Sequence, residues 1–502
     1  GAGPRAFDYG FDPEGNLTRV DETVADWSGA TRSRYYERSY DARGRVATET
    51  DASGSRAWTV RYGWDAASNL TSVTDAFNRE VSYSYDALDR LRTVTEAGTG
   101  RQLALYGWLP NGLLDTVTYP ESMTRNYDYD RANRLVKVTN QAGQDTQEFA
   151  YGLDANGNRE AETHKVNDAT VQSATYGYDL LDRLERAEVT RGTETRTSAW
   201  TYDAVGNRKT ETRPAAGGGT VTRTYEYDAV NRLSTITGDP AGNVVFGYDD
   251  NGNVLTQTQG SETRTYEYDA RDQMRRALGA GGVELARMDY DFERKRTEKT
   301  LGGGGALHYV YGGGQVINET GSSNQLVSRY DHGVDTIRGE LGGEGERWFF
   351  ADGLGSVTML GELVQGGNPR SATRTEYDAW GEVVSQSGGT INKLGYTGQR
   401  LDDETGLMAL GQGERYYQPG IGRFIQQDRW TGDAEMPQSL NRFAYVVNNP
   451  TKYTDPTGNV FFVPFLIAGI AILSARTYEG YEQHELQRVE QNQSAEEAPS
   501  SF

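Results

Sequence analysis

Two aromatic residues flanking a single position, followed at once by aspartate, recur along most of this 502-residue chain. No other feature of the sequence limits the fold as tightly. Clear copies are Tyr83-Ser84-Tyr85-Asp86, Tyr127-Asp128-Tyr129-Asp130, Tyr176-Gly177-Tyr178-Asp179, Tyr225-Glu226-Tyr227-Asp228 and Tyr266-Glu267-Tyr268-Asp269. Looser copies stand at Trp64-Asp65, Tyr202-Asp203, Tyr248-Asp249, Tyr290-Asp291, Tyr330-Asp331 and Tyr377-Asp378. Successive aspartates lie roughly 20 to 25 residues apart, a period that belongs to repeat architectures.

Each unit has a direct physical reading. Tyr-x-Tyr sets two rings on one face of a strand, because side chains alternate with period two. Asp203-Ala204-Val205-Gly206-Asn207 is turn chemistry: aspartate bonds the backbone two residues on, and Gly or Asn accepts a positive φ. Leu135-Val136-Lys137-Val138-Thr139 then resumes an alternating strand. One repeat is one hairpin, and hairpins stacked side by side pair nearly every edge. The expected fold is therefore all-β, a long antiparallel sheet that spirals. Tandem β-sandwiches would need breaks between domains, yet the repeat runs across both candidate breaks, at 215–219 and 302–305.

Composition removes several function classes. With 61 glycines, 32 tyrosines and 36% apolar residues, the chain is lean for a conventional packed globule. Its net charge of −21 is spread along the chain, which disfavours a nucleic acid or an anionic membrane as partner. The absence of cysteine excludes disulfides and thiolate sites. His164, His308, His332 and His484 show no metal-ligand spacing and read as surface or loop histidines, so no cofactor and no metal are expected. The opening GAGPRAFDYG shows no signal-peptide pattern and reads as the start of a fragment or a processed piece.

From Trp348 the character changes. Phe350-Ala351-Asp352-Gly353-Leu354-Gly355, Tyr377-Asp378-Ala379-Trp380-Gly381, Tyr396-Thr397-Gly398-Gln399-Arg400 and Asp403-Glu404-Thr405-Gly406-Leu407 follow in order. Then come Arg415-Tyr416-Tyr417-Gln418-Pro419, Gly422-Arg423-Phe424, Asn441-Arg442-Phe443-Ala444-Tyr445, Asn449-Pro450 and Asp455-Pro456-Thr457-Gly458. This ordered run resembles the Rhs/YD-repeat family, in particular its Rhs-associated core, and with the upstream repeats the resemblance covers roughly residues 7 to 458.

The resemblance implies a hollow cocoon: a YD-repeat shell over 1–347, plugged by a core domain over 348–458, with a short segment at 459–502. It implies that the shell encloses the chain's own C-terminal segment, usually a toxin, and is secreted or delivered out of a bacterium with the help of a delivery apparatus or chaperone. Tyrosine suits such a wall, offering its hydroxyl to an enclosed chain or to water. The core resembles a single-turnover aspartyl self-protease. Its acidic pair falls on Asp428 and Asp455, with Arg415 beside them. Two carboxylates sharing a proton can act as base toward water and as acid toward the scissile carbonyl. Relatives usually carry leucine after Asp-Pro-x-Gly, where this chain has Asn459, so the bond at issue is Asn459–Val460, following Gly458. The blander reading makes Asp455 a turn cap and Arg415–Asp428 an ordinary ion pair.

Residues 460–475 form the one strongly apolar run, too short at 16 residues for a span of roughly 20. They read as the start of an enclosed payload or, alternatively, as a membrane-contacting element or plug. The tail at 476–502 is polar and reads as a short helix with a disordered end. A cell-surface or extracellular adhesion scaffold without payload or catalysis is the competing function, and no multi-turnover enzyme is expected.

Overall fold

The computed structural model describes residues 5–25, 31–53, 56–215, 217–434 and 436–459. Among them there are strands, turns and short 3-10 segments but no α-helix, and no helix long and apolar enough to cross a membrane. Thirty-four strands, from β1 (Arg5–Phe11) to β34 (Val383–Ser387), make one antiparallel sheet. Each strand pairs with the next in sequence, as a chain of stacked hairpins must.

The Asp86 unit shows why the repeat folds this way. Tyr83 faces Val94 and Ser84 faces Thr93 across β7 (Glu80–Tyr85) and β8 (Leu91–Glu96). Asp86 Oδ1 accepts the Leu88 and Arg90 amides at 2.8 and 3.1 Å, and Arg90 Nε donates to Oδ2 at 2.7 Å. Asp89 sits at φ +55°, the left-handed place that Asn, Asp or Gly fills in most units, with Ser68 and Arg294 in two others. That extra residue shifts the ladder at Tyr85.

The tyrosine after which the repeat is read has a second task. In most units its hydroxyl donates to a carbonyl of the preceding hairpin, beside that hairpin's own register shift, Tyr268 being an exception. Tyr85 reaches Leu70 O at 2.8 Å, Tyr129 reaches Leu114 O at 2.9 Å and Tyr227 reaches Arg208 O at 2.8 Å. These hydroxyls were expected to face an enclosed chain or water. They are spent instead on main-chain carbonyls of the neighbouring hairpin, at the residue where its ladder shifts. The turns are linked as well: Arg134 Nη1 donates to Asp154 O at 2.6 Å, and Asn158 Nδ2 donates to Asp182 Oδ1 at 2.7 Å.

The sheet spirals back on itself. Arg79 Nη1 meets Asp331 Oδ1 at 2.6 Å across 252 residues of chain, and the Gly353 amide donates to the Tyr151 hydroxyl at 2.7 Å across 202. Val81, Leu91 and Tyr106 share an apolar cluster with Trp348, Phe350 and Met359. Trp58 and Val73 share another with Val310 and Ile317. Burying each such side chain contributes about 1.5–3 kcal/mol, which favours the returning coil over an open ribbon.

Two histidines read as surface residues are buried by that return. His164 is stacked on Phe149 with centroids 4.4 Å apart, and burial holds its pKa down to about 4. His308 sits against Trp58. His484 lies outside the described residues.

A second sheet follows, made of β35 (Arg400–Asp402), β36 (Leu407–Leu410), β37 (Arg415–Gln418) and β38 (Arg423–Phe424). Its Leu407, Ala409, Tyr416 and Ile425 pack on Tyr266, Met274 and Tyr290 of the large sheet. Beyond it, Asn441 Nδ2 bonds Asn207 Oδ1 at 2.8 Å, Asn448 Nδ2 bonds Gly206 O at 2.8 Å and Asn449 Nδ2 bonds Asn158 Oδ1 at 2.9 Å. The asparagines of the motif run are thus fasteners onto the repeat turns. The motif-based division at 347/348 falls inside a strand, Gly345–Ala351, and the large sheet continues to Ser387.

Candidate functional site

Arg415, Asp428 and Asp455 come from three separate stretches and meet in one buried cluster. Arg415 opens β37, held in the ladder between Leu410 and the residues that follow. Asp428 follows β38, and its amide donates to Arg442 O at 2.9 Å. Asp455 opens the last described turn. All three are nearly out of water.

Arg415 joins them. Its Nη2 lies 2.7 Å from Asp428 Oδ2 and 3.3 Å from Asp455 Oδ2, while its Nε donates to the Gly458 carbonyl. Its guanidinium carbon stands 3.5 Å from the Phe424 ring centroid, a cation–π contact that fixes the plane of the fork. The Trp430 amide donates to Asp428 Oδ1 at 2.8 Å. Asp455 also caps the turn through the Gly458 amide, and Arg415 also pairs with Asp428.

Burial sets the electrostatics. It pushes the Asp455 carboxyl up to about 7, Arg415 opposing and Asp428 adding to the rise. Burial likewise pushes Asp428 up against the pull of Arg415. One guanidinium cannot fully neutralise two desolvated carboxylates, so near neutral pH the pair retains a proton. Such a pair can take a proton from one group and give one to another.

The turn at 455–458 is shaped by close contact. The Gly411 amide donates to Pro456 O at 3.2 Å, and a Cβ on Gly411 would stand 1.8 Å from Thr457 O. Gly458 itself sits at φ +77°. The Thr457 hydroxyl donates to Asp455 Oδ1 at 3.4 Å and accepts the Asn459 amide at 3.3 Å. Val460, on the far side of the bond at issue, lies outside the described residues. Sequence reading missed Phe424, Arg442 and Thr457. Thr457 was legible as the x of Asp-Pro-x-Gly, whereas Phe424 and Arg442 were visible only as motif members without a role. Among the described residues no group of three or more acidic or histidine side chains is arranged to hold a metal.

The teneurin YD-shell family model matches residues 162–451, more than half of the chain. The chain belongs to the teneurin YD-shell family. Two RHS repeats match further upstream, at 40–77 and 64–101. The tRNA(Glu)-specific nuclease WapA of Bacillus subtilis subsp. natto is 28% identical over 207 residues, which is 40% of this chain and 8% of that protein. The double-stranded DNA deaminase toxin A of Burkholderia cenocepacia is 37% identical over 91 residues, 16% of this chain and 6% of the toxin. The crystal structure of TcdB2-TccC3 without its hypervariable C-terminal region superposes with a TM-score of 0.55 at 17% identity, over 90% of this YD-shell chain and 26% of that chain. The Photorhabdus luminescens Tc holotoxin pore superposes with a TM-score of 0.55 at 17% identity, over 92% and 26%. The YD-shell chain spans under a tenth of the curated relatives it matches and about a quarter of these structures.

Proposed function

We propose that this YD-shell chain is the closing part of a cocoon that encloses the polypeptide continuing past Asn459 and severs it at Asn459–Val460. In this reading 1–347 is shell, 348–458 is the plug that carries the cleaving group, and 459–502 holds the cut and the start of the enclosed cargo, which begins at Val460. The observation that carries it is the single guanidinium of Arg415, shared by Asp428, Asp455 and the carbonyl of Gly458. It puts an acid–base pair and a held peptide in the same buried place. The pair supplies a proton to the leaving nitrogen and accepts one from the attacking group. Secretion or delivery outside the cell, with a delivery apparatus or chaperone as partner, belongs to the same proposal and is supported by the deaminase toxin and the holotoxin among the similar proteins.

Purified wild-type chain is expected to give two pieces on a denaturing gel, with intact masses that join at Asn459–Val460, and one species on native size exclusion. Asp455→Asn and Asp428→Asn are expected to give a single uncut chain. An unchanged fragment pattern in both variants would overturn the self-cleavage reading and favour an adhesion scaffold.

A further inference from the structure

The residue on the amino side of the proposed cut is asparagine, and its side chain carries its own nucleophile. The Asn459 amide nitrogen can reach the main-chain carbonyl carbon of the same residue and close a five-membered ring, which an apolar side chain cannot do. The local structure supports this use. Among the described residues Asn459 Nδ2 is tied only by a 3.4 Å bond to Thr457 O, at the weak end of hydrogen-bond geometry. Its Oδ1 is buried with no partner among the described residues. A buried amide whose oxygen is unbonded usually marks either strain or a group kept ready for another geometry. The chain just before it is clamped, by Arg415 Nε on the Gly458 carbonyl and by the left-handed Gly458 turn. The Thr457 hydroxyl accepts the Asn459 main-chain N–H and donates to Asp455 Oδ1, so the backbone of the asparagine is tied through one hydroxyl to that carboxyl.

We propose that the chain breaks by cyclisation of Asn459. Nδ2 attacks the Asn459 main-chain carbonyl carbon, a carbon–nitrogen bond forms, and the bond to the Val460 nitrogen breaks. Nδ2 gives up one proton and the Val460 nitrogen gains one, leaving as a new amino terminus. The other product ends in a C-terminal succinimide. No water, oxidant or reductant is consumed; water opens the ring later, to asparagine or isoasparagine. Asn459 is the catalytic residue of this step, and Thr457, bonded to Asp455, positions its main chain. The inference rests on the self-cleavage reading and names its attacking group.

The test follows wild type, Asn459→Ala and Asn459→Gln during cleavage in water enriched with heavy oxygen, quenched in acid. The wild-type N-terminal fragment is expected to be lighter by one water than the hydrolysis product and free of heavy oxygen. Hydroxylamine should trap it as a hydroxamate. Asn459→Ala is expected to lose the fragment, and Asn459→Gln, which must close a six-membered ring, to lose most of it, with circular dichroism unchanged in both. A wild-type fragment that carries a full carboxylate with heavy oxygen from the first time point would overturn cyclisation while leaving self-cleavage standing. So would cleavage of Asn459→Ala at the wild-type rate. A wild-type chain that is never cut would overturn both readings.

Discussion

Arg415 Nη2 lies 2.7 Å from Asp428 Oδ2 with both side chains almost wholly withdrawn from water. A buried pair of this kind is costly to break from one side, because the charge left behind has no solvent to turn to. Replacing Arg415 by Met should therefore cost about 3–5 kcal/mol of stability, since it orphans two carboxylates rather than one. Arg415→Lys keeps a charge but lacks the fork that reaches Gly458 and Asp455 together. It should fold and lose most of the cleavage. Thermal melts alongside denaturing gels separate the two effects.

Asp455 makes stability depend on pH with a definite sign. Its carboxyl titrates near 7 when folded and near 3.8 when unfolded. Between those values the folded state holds a proton that the unfolded state has released. That contribution is fully present below the unfolded value and is lost as pH rises toward 7. The loss amounts to up to about 4 kcal/mol. Asp455→Asn should flatten the melting temperature of the chain across pH 4.5 to 7 relative to wild type, on the order of the same free energy. Wild-type cleavage should fall as pH climbs past about 7, where the shared proton is lost.

The seat of the plug gives a third expectation. Asp402 accepts Lys299 Nζ at 2.7 Å and pairs with Arg296. Burial raises its pKa, but the two cations outweigh burial and hold it below the usual carboxylate range. Asp402→Ala leaves buried Arg296 without its carboxylate and Lys299 with Glu404 alone, at 2.9 Å, a loss of about 3–5 kcal/mol. The small sheet should become sensitive to limited proteolysis before the large sheet does. Equal sensitivity of the two would show that they unfold together.

The hydroxyl that stitches one hairpin to the last can be removed alone. Tyr248 donates to Leu233 O at 2.9 Å. Tyr248→Phe should cost about 1–3 kcal/mol in urea unfolding, because a largely buried carbonyl loses its partner. A change of a few tenths would mean that water replaces the hydroxyl.

Gly411→Ala tests whether the 455–458 turn is needed where it stands. A Cβ there would meet Thr457 O at 1.8 Å, and the residue sits at φ +58°. The variant should keep the large sheet by circular dichroism and lose cleavage. Retained cleavage would show that the turn tolerates displacement.

Much of this molecule is written locally. The aspartate that bonds the next amides, the left-handed fourth residue and the alternating strands are all set within five or ten residues, and each appears where the repeat places it. What local pattern does not carry is the partner of a side chain that points out of its own hairpin. Tyr227 bonds a carbonyl 19 residues back, and Arg79 meets a carboxylate 252 residues on. The first depends on how one hairpin stacks on the next, the second on the closure of the whole sheet. The histidines show the same limit, since His164 and His308 lie on strands that only the returning coil buries.

The site divides along the same line. The sequence by itself determined that the chain is a sheet of Tyr-Asp hairpins, because period-two alternation and turn chemistry act between near neighbours. It also named Arg415, Asp428 and Asp455 through the motifs that hold them. Only the tertiary structure decided that one guanidinium joins these three and grips the Gly458 carbonyl. Arg415 and Asp455 are 40 residues apart along the chain, and chain separation says nothing of distance until the small sheet has docked. Burial then decided the chemistry: the same carboxyl that titrates near 3.8 in open chain titrates near 7 once water is removed from around it.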